Sequence, residues 1–328
     1  MISYSESLES EYIYIDTRTP KEFEEDHIPK SYNLPIFSNE ERVAIGTLYK
    51  KDKDAAFDLG YESFNNKIIA VTKEIEGFDK SKKIIIYCWR GGMRSKAMTD
   101  MIKMLGYNAL QLKGGYKSYR EWVRNRFDSI DMPKFIVLHG LTGSGKTALL
   151  KELSNSLDLE GLAQHRSSVY GAVGLNPKTQ KMFESLLLEK LRKLPSPIFV
   201  EGESKRIGKI HIPEKVFSAM KKGINVRINV DIETRAKTIV KDYSQYNEDE
   251  MLKKITRSLK ESLSKNIVDE LCQKIDEKDY FYVAKILLEK YYDPRYEHGL
   301  SSIKYDYVID SDLINQLEEI KDKFIKEE

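Results

Sequence analysis

The stretch Phe135–Thr147 reads FIVLHGLTGSGKT and leaves the chain few folding options. Five residues of high strand propensity run into a segment that satisfies G-x-x-x-x-G-K-[ST], and the helix former KTALLKEL follows. The glycines permit a tight backbone nest whose N–H groups face phosphate oxygens. A strand, loop and helix in this order belong to an α/β unit with a parallel sheet. Gly140, Gly143, Ser144, Gly145, Lys146 and Thr147 are the expected phosphate-binding residues. Lys146 brings charge to the terminal phosphates, and the Thr147 hydroxyl can ligate Mg²⁺. The loop does not define what the phosphates are attached to. ATP and a prenyl diphosphate present the same Mg²⁺-bearing head group.

A carboxylate on a neighbouring strand end should hold the metal's water shell. Ile198–Ser204, IFVEGES, offers Glu201 and Glu203, and either one serves. Leu157–Gly171 brings Asp158, Glu160, His165 and Arg166 to the same sheet edge. His165 and Arg166 either touch substrate or cap and pair locally.

A similar layout occurs earlier, at Ile84–Lys96, IIIYCWRGGMRSK, this time with a thiol. Cys88 ends an apolar strand, where α/β folds bind ligands. The next helix is expected to start near Ser95, with its free N–H groups directed back at the loop. Arg90 and Arg94 add positive charge. Together these favour the thiolate and lower the Cys88 pKa, giving a nucleophile inside an anion cradle. The spacing from Cys88 to Arg94 is also the C-x5-R of cysteine phosphatases, so the loop alone is ambiguous. Cys272 shares a helical face with Val268, Leu271 and Ile275 and is expected in a core.

Strands and helices alternate along the chain. Expected strands are Tyr12–Ile15, Lys83–Tyr87 and Asn108–Leu112, with helices from Pro20 and over Phe64–Ile75, Ser95–Leu105 and Tyr116–Phe127. DSIDMPK, Asp128–Lys134, breaks the pattern, which divides the chain into residues 1–130 and 131–328. In the second part strands are expected at Phe135–His139, Ser156–Leu159, Ile198–Glu201, Asn225–Val230 and Tyr307–Ile309. A helical region from Ile232 to about Tyr292 precedes the last strand, and a helix over Leu313–Lys326 follows it.

Composition narrows the function classes. No apolar run approaches the ~18 residues of a membrane span. The acidic start MISYSESLESEY does not read as a targeting peptide. Two cysteines are too few for a disulfide framework. A cytoplasmic protein without a membrane partner is expected. The net charge of +2 hides an asymmetry: residues 1–60 carry 7 Lys/Arg and 13 Asp/Glu, whereas residues 88–134 carry 10 and 4. A basic stretch after an anion-shaped loop points to a polyanionic partner, although charge alone also suits a solvated helical surface.

The surroundings of Cys88 resemble a known domain. Ile13–Pro35, IYIDTRTPKEFEEDHIPKSYNLP, resembles the first signature of rhodaneses, with Asp16, Arg18, Glu22, Phe23, His27, Ile28, Pro29, Asn33 and Pro35. Leu105–Trp122, LGYNALQLKGGYKSYREW, resembles their closing signature, with Gly106, Tyr107, Gly114, Gly115 and Trp122. A rhodanese-like domain followed by a P-loop α/β domain with a helical extension is similar to the tRNA 2-selenouridine synthases over nearly the whole chain. Asn39–Tyr61 resembles that family's insertion. YCWRGGMRS, LEGLAQHRSSVYG, VEGESKRIG and YYDPRY look like its signatures, with Gly202 departing where the family favours an acidic or polar residue.

The resemblance implies a transferase acting on the anticodon arm of a tRNA whose wobble uridine carries a 2-thio group. Geranyl diphosphate alkylates that sulfur, and selenium from selenophosphate then displaces it. It further implies that Cys88 holds the chalcogen as a persulfide or selenyl sulfide, with Arg90 and Arg94 holding the donor anion. The P-loop would then take the diphosphate of the geranyl donor with Mg²⁺, and a selenophosphate-producing enzyme would be the supplier. Three other readings compete. A rhodanese-type sulfurtransferase fused to an ATPase would not act on RNA. A phosphatase fused to a small-molecule kinase would use Cys88 on phosphoesters. A non-enzymatic RNA-binding module would use both loops as phosphate grips.

Overall fold

The computed structural model describes residues 1–5, 12–202, 204–243, 246, 248–310 and 312–326. The chain divides into two compact units, Met1–Ile130 and Asp131–Glu328.

The first unit is a parallel sheet of β1 (Tyr12–Asp16), β2 (Tyr32–Asn33), β3 (Lys83–Tyr87) and β4 (Ala109–Gln111), in the order β2-β1-β3-β4. Parallel neighbours need crossovers, and helices supply them. The first, Pro20–Glu25, starts where Thr19 and Glu22 form a capping box ahead of Pro20. The insertion after β2 is helical, Asn39–Leu48 and Lys53–Asn65, an assignment sequence periodicity does not make. The expected helix over Phe64–Ile75 is broken at Asn66 and Lys67, and a new helix runs Ile68–Glu76. The break keeps one apolar face: Phe64, Ile68, Val71 and Ile75 all pack on the same core as Ile84, Ile86 and Met98. Lys67 is held there by the Ile36 carbonyl and by Glu41.

The second unit holds β5 (Phe135–His139), β6 (Ser156–Leu157), β7 (Ile198–Glu201), β10 (Ile224–Ile228) and β11 (Tyr307–Ile309), all parallel, in the order β11-β10-β5-β7-β6. A small antiparallel pair, β8 (Arg206–Ile207) and β9 (Ile210–His211), stands apart and is too short to show alternation. Helices Gln180–Leu191 and Glu214–Lys221 also lie outside the sequence expectation. The strand expected over Ser156–Leu159 ends at Leu157, because the Asp158 carboxylate accepts the Gly161 N–H at 2.6 Å and starts a short helix. The strand expected over Asn225–Val230 runs Ile224–Ile228.

Helices Ile232–Tyr243, Asp249–Ser258, Lys265–Asp276 and Tyr280–Leu287 build a second core of their own around Leu271, Leu288 and Ala236. Cys272 is half-buried rather than a core residue. Val268, Leu271 and Ile275 fill the buried face of that helix, and Cys272 sits about 100° round from Leu271, on its flank. Among the described residues no helix is long and apolar enough to cross a membrane.

Candidate functional site

Two loops of unusual composition stand at strand ends, one in each unit. In the first, Cys88 follows β3 and is 3 % exposed. Its Sγ accepts the Gly92 N–H at 3.2 Å and lies 3.2 Å from the Ser95 hydroxyl. The helix begins at Met93 with Gly92 as its cap, so the loop is two residues tighter than expected. Gln111, at the end of β4, braces it by donating to the carbonyls of Gly91 and Gly92 and to Ser95 Oγ at 2.8–3.0 Å.

The two arginines separate. Arg94 Nη1 pairs with Glu22 at 3.1 Å, a contact 72 residues apart in sequence. Burial pushes the Glu22 carboxyl up, but Arg94 and the Thr19 N–H outweigh it and hold it below its usual range. Arg90 is exposed and has no partner among the described residues. It is the charge left available to an anion.

The signature residues around the loop are its foundation. Arg18 grips both oxygens of Asp16 at 2.6–3.1 Å and donates to the Asp26 carbonyl at 2.6 Å. Asn33 donates to the carbonyls of Asp16 and Arg18. The Arg18 guanidinium lies 4.0 Å over the Tyr116 ring, and the Tyr116 hydroxyl donates to Asp26. The backbone N–H groups of Tyr116 and Lys117 bind the carbonyls of Cys88 and Trp89 at 2.8 and 2.9 Å. Gly115 makes this approach feasible. A Cβ there would stand 2.3 Å from the Cys88 oxygen and 2.4 Å from the Gly91 nitrogen. The basic stretch is partly structural: Arg120 is buried and Lys96 pairs with Asp100, while Lys103, Lys113, Lys117, Arg124 and Arg126 are exposed.

In the second unit the P-loop Gly140–Thr147 follows β5, between β7 and β10. That is where an open parallel sheet splits and binds ligands. Gly143 and Gly145 adopt φ +81° and +80°, turning the loop into a nest. Lys146 Nζ donates to the Gly140 carbonyl at 2.8 Å and lies 3.4 Å from Ser144 Oγ. Arg235, 4 % exposed, clamps the apex: it donates to the Thr142 carbonyl at 3.3 Å and forms a bidentate pair with Asp293 at 2.7–2.8 Å. Asp293 belongs to the YYDPRY segment, so that motif supports the phosphate loop through Arg235.

The carboxylates also take distinct places. Glu201 is 1 % exposed at the end of β7, and its Oε1 accepts the Glu160 N–H at 2.8 Å. Glu160 instead presents Oε2 to the Thr147 hydroxyl at 3.5 Å, while its Oε1 accepts the Ser167 N–H. Glu203 lies outside the described residues. Among the described residues no three His, Cys, Asp or Glu side chains converge into a preformed metal cage. One hydroxyl and one carboxylate, both hard oxygen donors, fit a Mg²⁺ that arrives with a diphosphate and keeps most of its waters. Sequence reasoning did not pair Glu160 with Thr147.

His139, the last residue of β5, was not singled out by sequence. Its Nε2 pairs with Asn225 Oδ1 at 2.8 Å, and its buried Nδ1 has no hydrogen-bond partner among the described residues. Burial lowers its pKa, and nearby Lys146 lowers it further against the Asn225 bond, which disfavours the charged ring. A Cβ at Gly202 would come within 2.3 Å of Nδ1. The histidine ring therefore occupies the space that an acidic side chain at 202 would need.

His165 and Arg166 take separate local contacts. Arg166 donates to the Val173 carbonyl at 3.1 Å and lies 4.6 Å over the Tyr243 ring. His165 packs close to Gly208 and Gly171. A largely apolar cavity is lined by Thr142 and Ser168 together with Ile239, Leu252, Ile275 and Ala284 of the helices. It is assembled from segments far apart in sequence.

Residues 4–121 match the rhodanese-like domain, and residues 133–266 match the "tRNA 2-selenouridine synthase AAA domain". Curated relatives of the same name include one from Shewanella woodyi, 31 % identical over 334 residues, covering 91 % of this chain and 90 % of that protein. Another, from Hydrogenovibrio crunogenus, is 31 % identical over 321 residues, covering 87 % and 88 %. The relative from Nitrosomonas europaea is 34 % identical over 241 residues, and there the chain spans 63 % of its length. A rhodanese-like unit built around Cys88 and a P-loop unit with matching signatures, aligned nearly end to end with Shewanella woodyi's protein, place this chain in the tRNA 2-selenouridine synthase family.

Proposed function

We propose that the protein converts 2-thiouridine at the wobble position of a tRNA into 2-selenouridine in two steps, one at each loop. In the first, the 2-thio sulfur attacks C1 of geranyl diphosphate. The C1–O bond breaks, diphosphate leaves with the bonding pair, and N3 loses its proton. The product is a neutral S-geranyl-2-thiouridine. A thiocarbonyl sulfur is a poor leaving group, and alkylation makes it a good one.

The observation that carries this reading is the largely apolar cavity that has Thr142 of the P-loop among its lining residues. A P-loop beside a polar wall suits a nucleotide, whereas one beside an apolar channel suits a diphosphate with a hydrocarbon chain. Backbone N–H groups of the nest and Lys146 hold the diphosphate, and Thr147 and Glu160 would hold Mg²⁺, which neutralises charge on the departing group.

In the second step selenophosphate is received in the Cys88 loop, where Arg90 is exposed and, among the described residues, unpaired. Cys88 Sγ attacks phosphorus, the P–Se bond breaks with its pair on selenium, and water later releases the phosphoryl group from sulfur as phosphate. The freed hydroselenide adds at C2, the geranylthiolate leaves with the C2–S pair, and the selenium-borne proton returns to N3.

A second reading puts a nucleotide on the same loop. A wide crevice of mixed lining, with Ser144, Arg227, Asn229 and Asp231 beside Leu141 and Ile228, also includes residues of that loop. Purified protein given 2-thiouridine tRNA and geranyl diphosphate should release one diphosphate per S-geranyl nucleoside formed, with excess ATP having no effect. Tyrosines or lysines elsewhere would not rescue the alternative result: if ATP is hydrolysed on adding tRNA while geranyl diphosphate stays intact, the P-loop is a nucleotide site.

A further inference from the structure

Trp89 follows Cys88 directly and is 38 % exposed, an unusual place for a large apolar ring. It is not a loose side chain. Its carbonyl accepts the Lys117 N–H at 2.9 Å, and the preceding carbonyl accepts the Tyr116 N–H. The indole leans on the Tyr116 ring, with centroids 5.6 Å apart and planes 34° from parallel. Tyr116 is buried and is backed in turn by the Arg18 guanidinium at 4.0 Å. The buried Arg18–Asp16 ion pair and two rings thus form a column that ends in an exposed aromatic ring beside the Cys88 thiol. Arg90, exposed and without a partner among the described residues, is the next residue.

We infer that the open face of Trp89 is the platform on which the target nucleobase stacks while C2 is presented to the selenium released in the Cys88 loop. This rests on the tRNA reading above. The chemistry requires an unpaired pyrimidine, and an aromatic face held rigid on one side is what such a base binds. A pre-set ring also loses little side-chain entropy on binding. Arg90 beside it suits the phosphate flanking that base.

The test uses the full chain carrying Trp122→Phe, so that Trp89 is the sole indole. The probes are an anticodon stem-loop RNA with S-geranyl-2-thiouridine at the wobble position, and the same RNA with an abasic site there. Both should bind, but only the RNA with the base should quench Trp89 emission. Trp89→Phe should keep most of the kcat/KM for selenium incorporation, whereas Trp89→Leu should lose about 10- to 100-fold. If both RNAs bind, selenium is incorporated and emission responds equally to the two, the platform is elsewhere while the tRNA reading stands. If neither RNA binds nor reacts, the inference and that reading fall together.

Discussion

Replacing Gly115 by alanine isolates the contact that holds the cysteine loop. Gly115 has φ +60°, where an L side chain costs about 1–2 kcal/mol. The new Cβ would also stand within 2.3–2.4 Å of backbone atoms of Cys88 and Gly91, which cannot rotate away. Overpacking of this kind adds about 1–3 kcal/mol. Gly106 provides the control: its φ is +84°, but a Cβ there meets no atom within 4 Å. G106A should therefore cost only the conformational part, and G115A roughly 1–3 kcal/mol more. Both tryptophans lie in the first unit, so indole fluorescence during urea unfolding reports on that unit alone. In a Cys272→Ser background G115A should also raise the alkylation rate of Cys88 and abolish selenium incorporation, whereas G106A should do neither. Equal costs for the two variants, with unchanged Cys88 reactivity, would refute the reasoning.

Three further outcomes follow from the second unit. Glu160→Gln should weaken the Mg²⁺ dependence of diphosphate release by about 10-fold or more while leaving the unfolding midpoint in place, whereas Glu201→Ala orphans the Glu160 N–H and should cost about 1–3 kcal/mol in stability. Ala284→Phe places a ring in the apolar cavity and should cut turnover of geranyl diphosphate by at least about 10-fold while sparing dimethylallyl diphosphate, read by competing the two donors. His139 is held below its ordinary value of 6.5, so as pH falls the unfolded chain takes up a proton that the folded site refuses. The stability this permits is complete above about pH 6.5 and is lost progressively below it. Circular-dichroism unfolding should show that slope, and His139→Gln should flatten it.

The parts legible in sequence are those whose information is local. The P-loop and the Cys88 loop are contiguous motifs that follow apolar strands, and β3, β5 and β7 lie where the runs place them. The helical region after Ile232 follows from its length and periodicity. What sequence hides is made by distant pairs. Arg94 meets Glu22, Arg235 meets Asp293, and Thr147 faces Glu160, each contact closed by tertiary packing. Glu201 attracts notice as the acid on a strand end, yet it spends an oxygen on a backbone N–H, and Glu160 takes the place beside Thr147. The departure at Gly202 looks like noise in the sequence and is explained only by the His139 ring. The apolar cavity has no sequence trace, because four helices contribute one or a few residues each.

The division of labour between the two loops is tested most directly by the nucleosides of tRNA. A host without its own enzyme would receive the wild type, Cys88→Ala or Lys146→Ala, and its tRNA would be digested for mass spectrometry. The wild type should give 2-selenouridine, Cys88→Ala should accumulate S-geranyl-2-thiouridine, and Lys146→Ala should leave 2-thiouridine unchanged. Normal geranylation by Lys146→Ala, or 2-selenouridine formed by Cys88→Ala, would contradict the account.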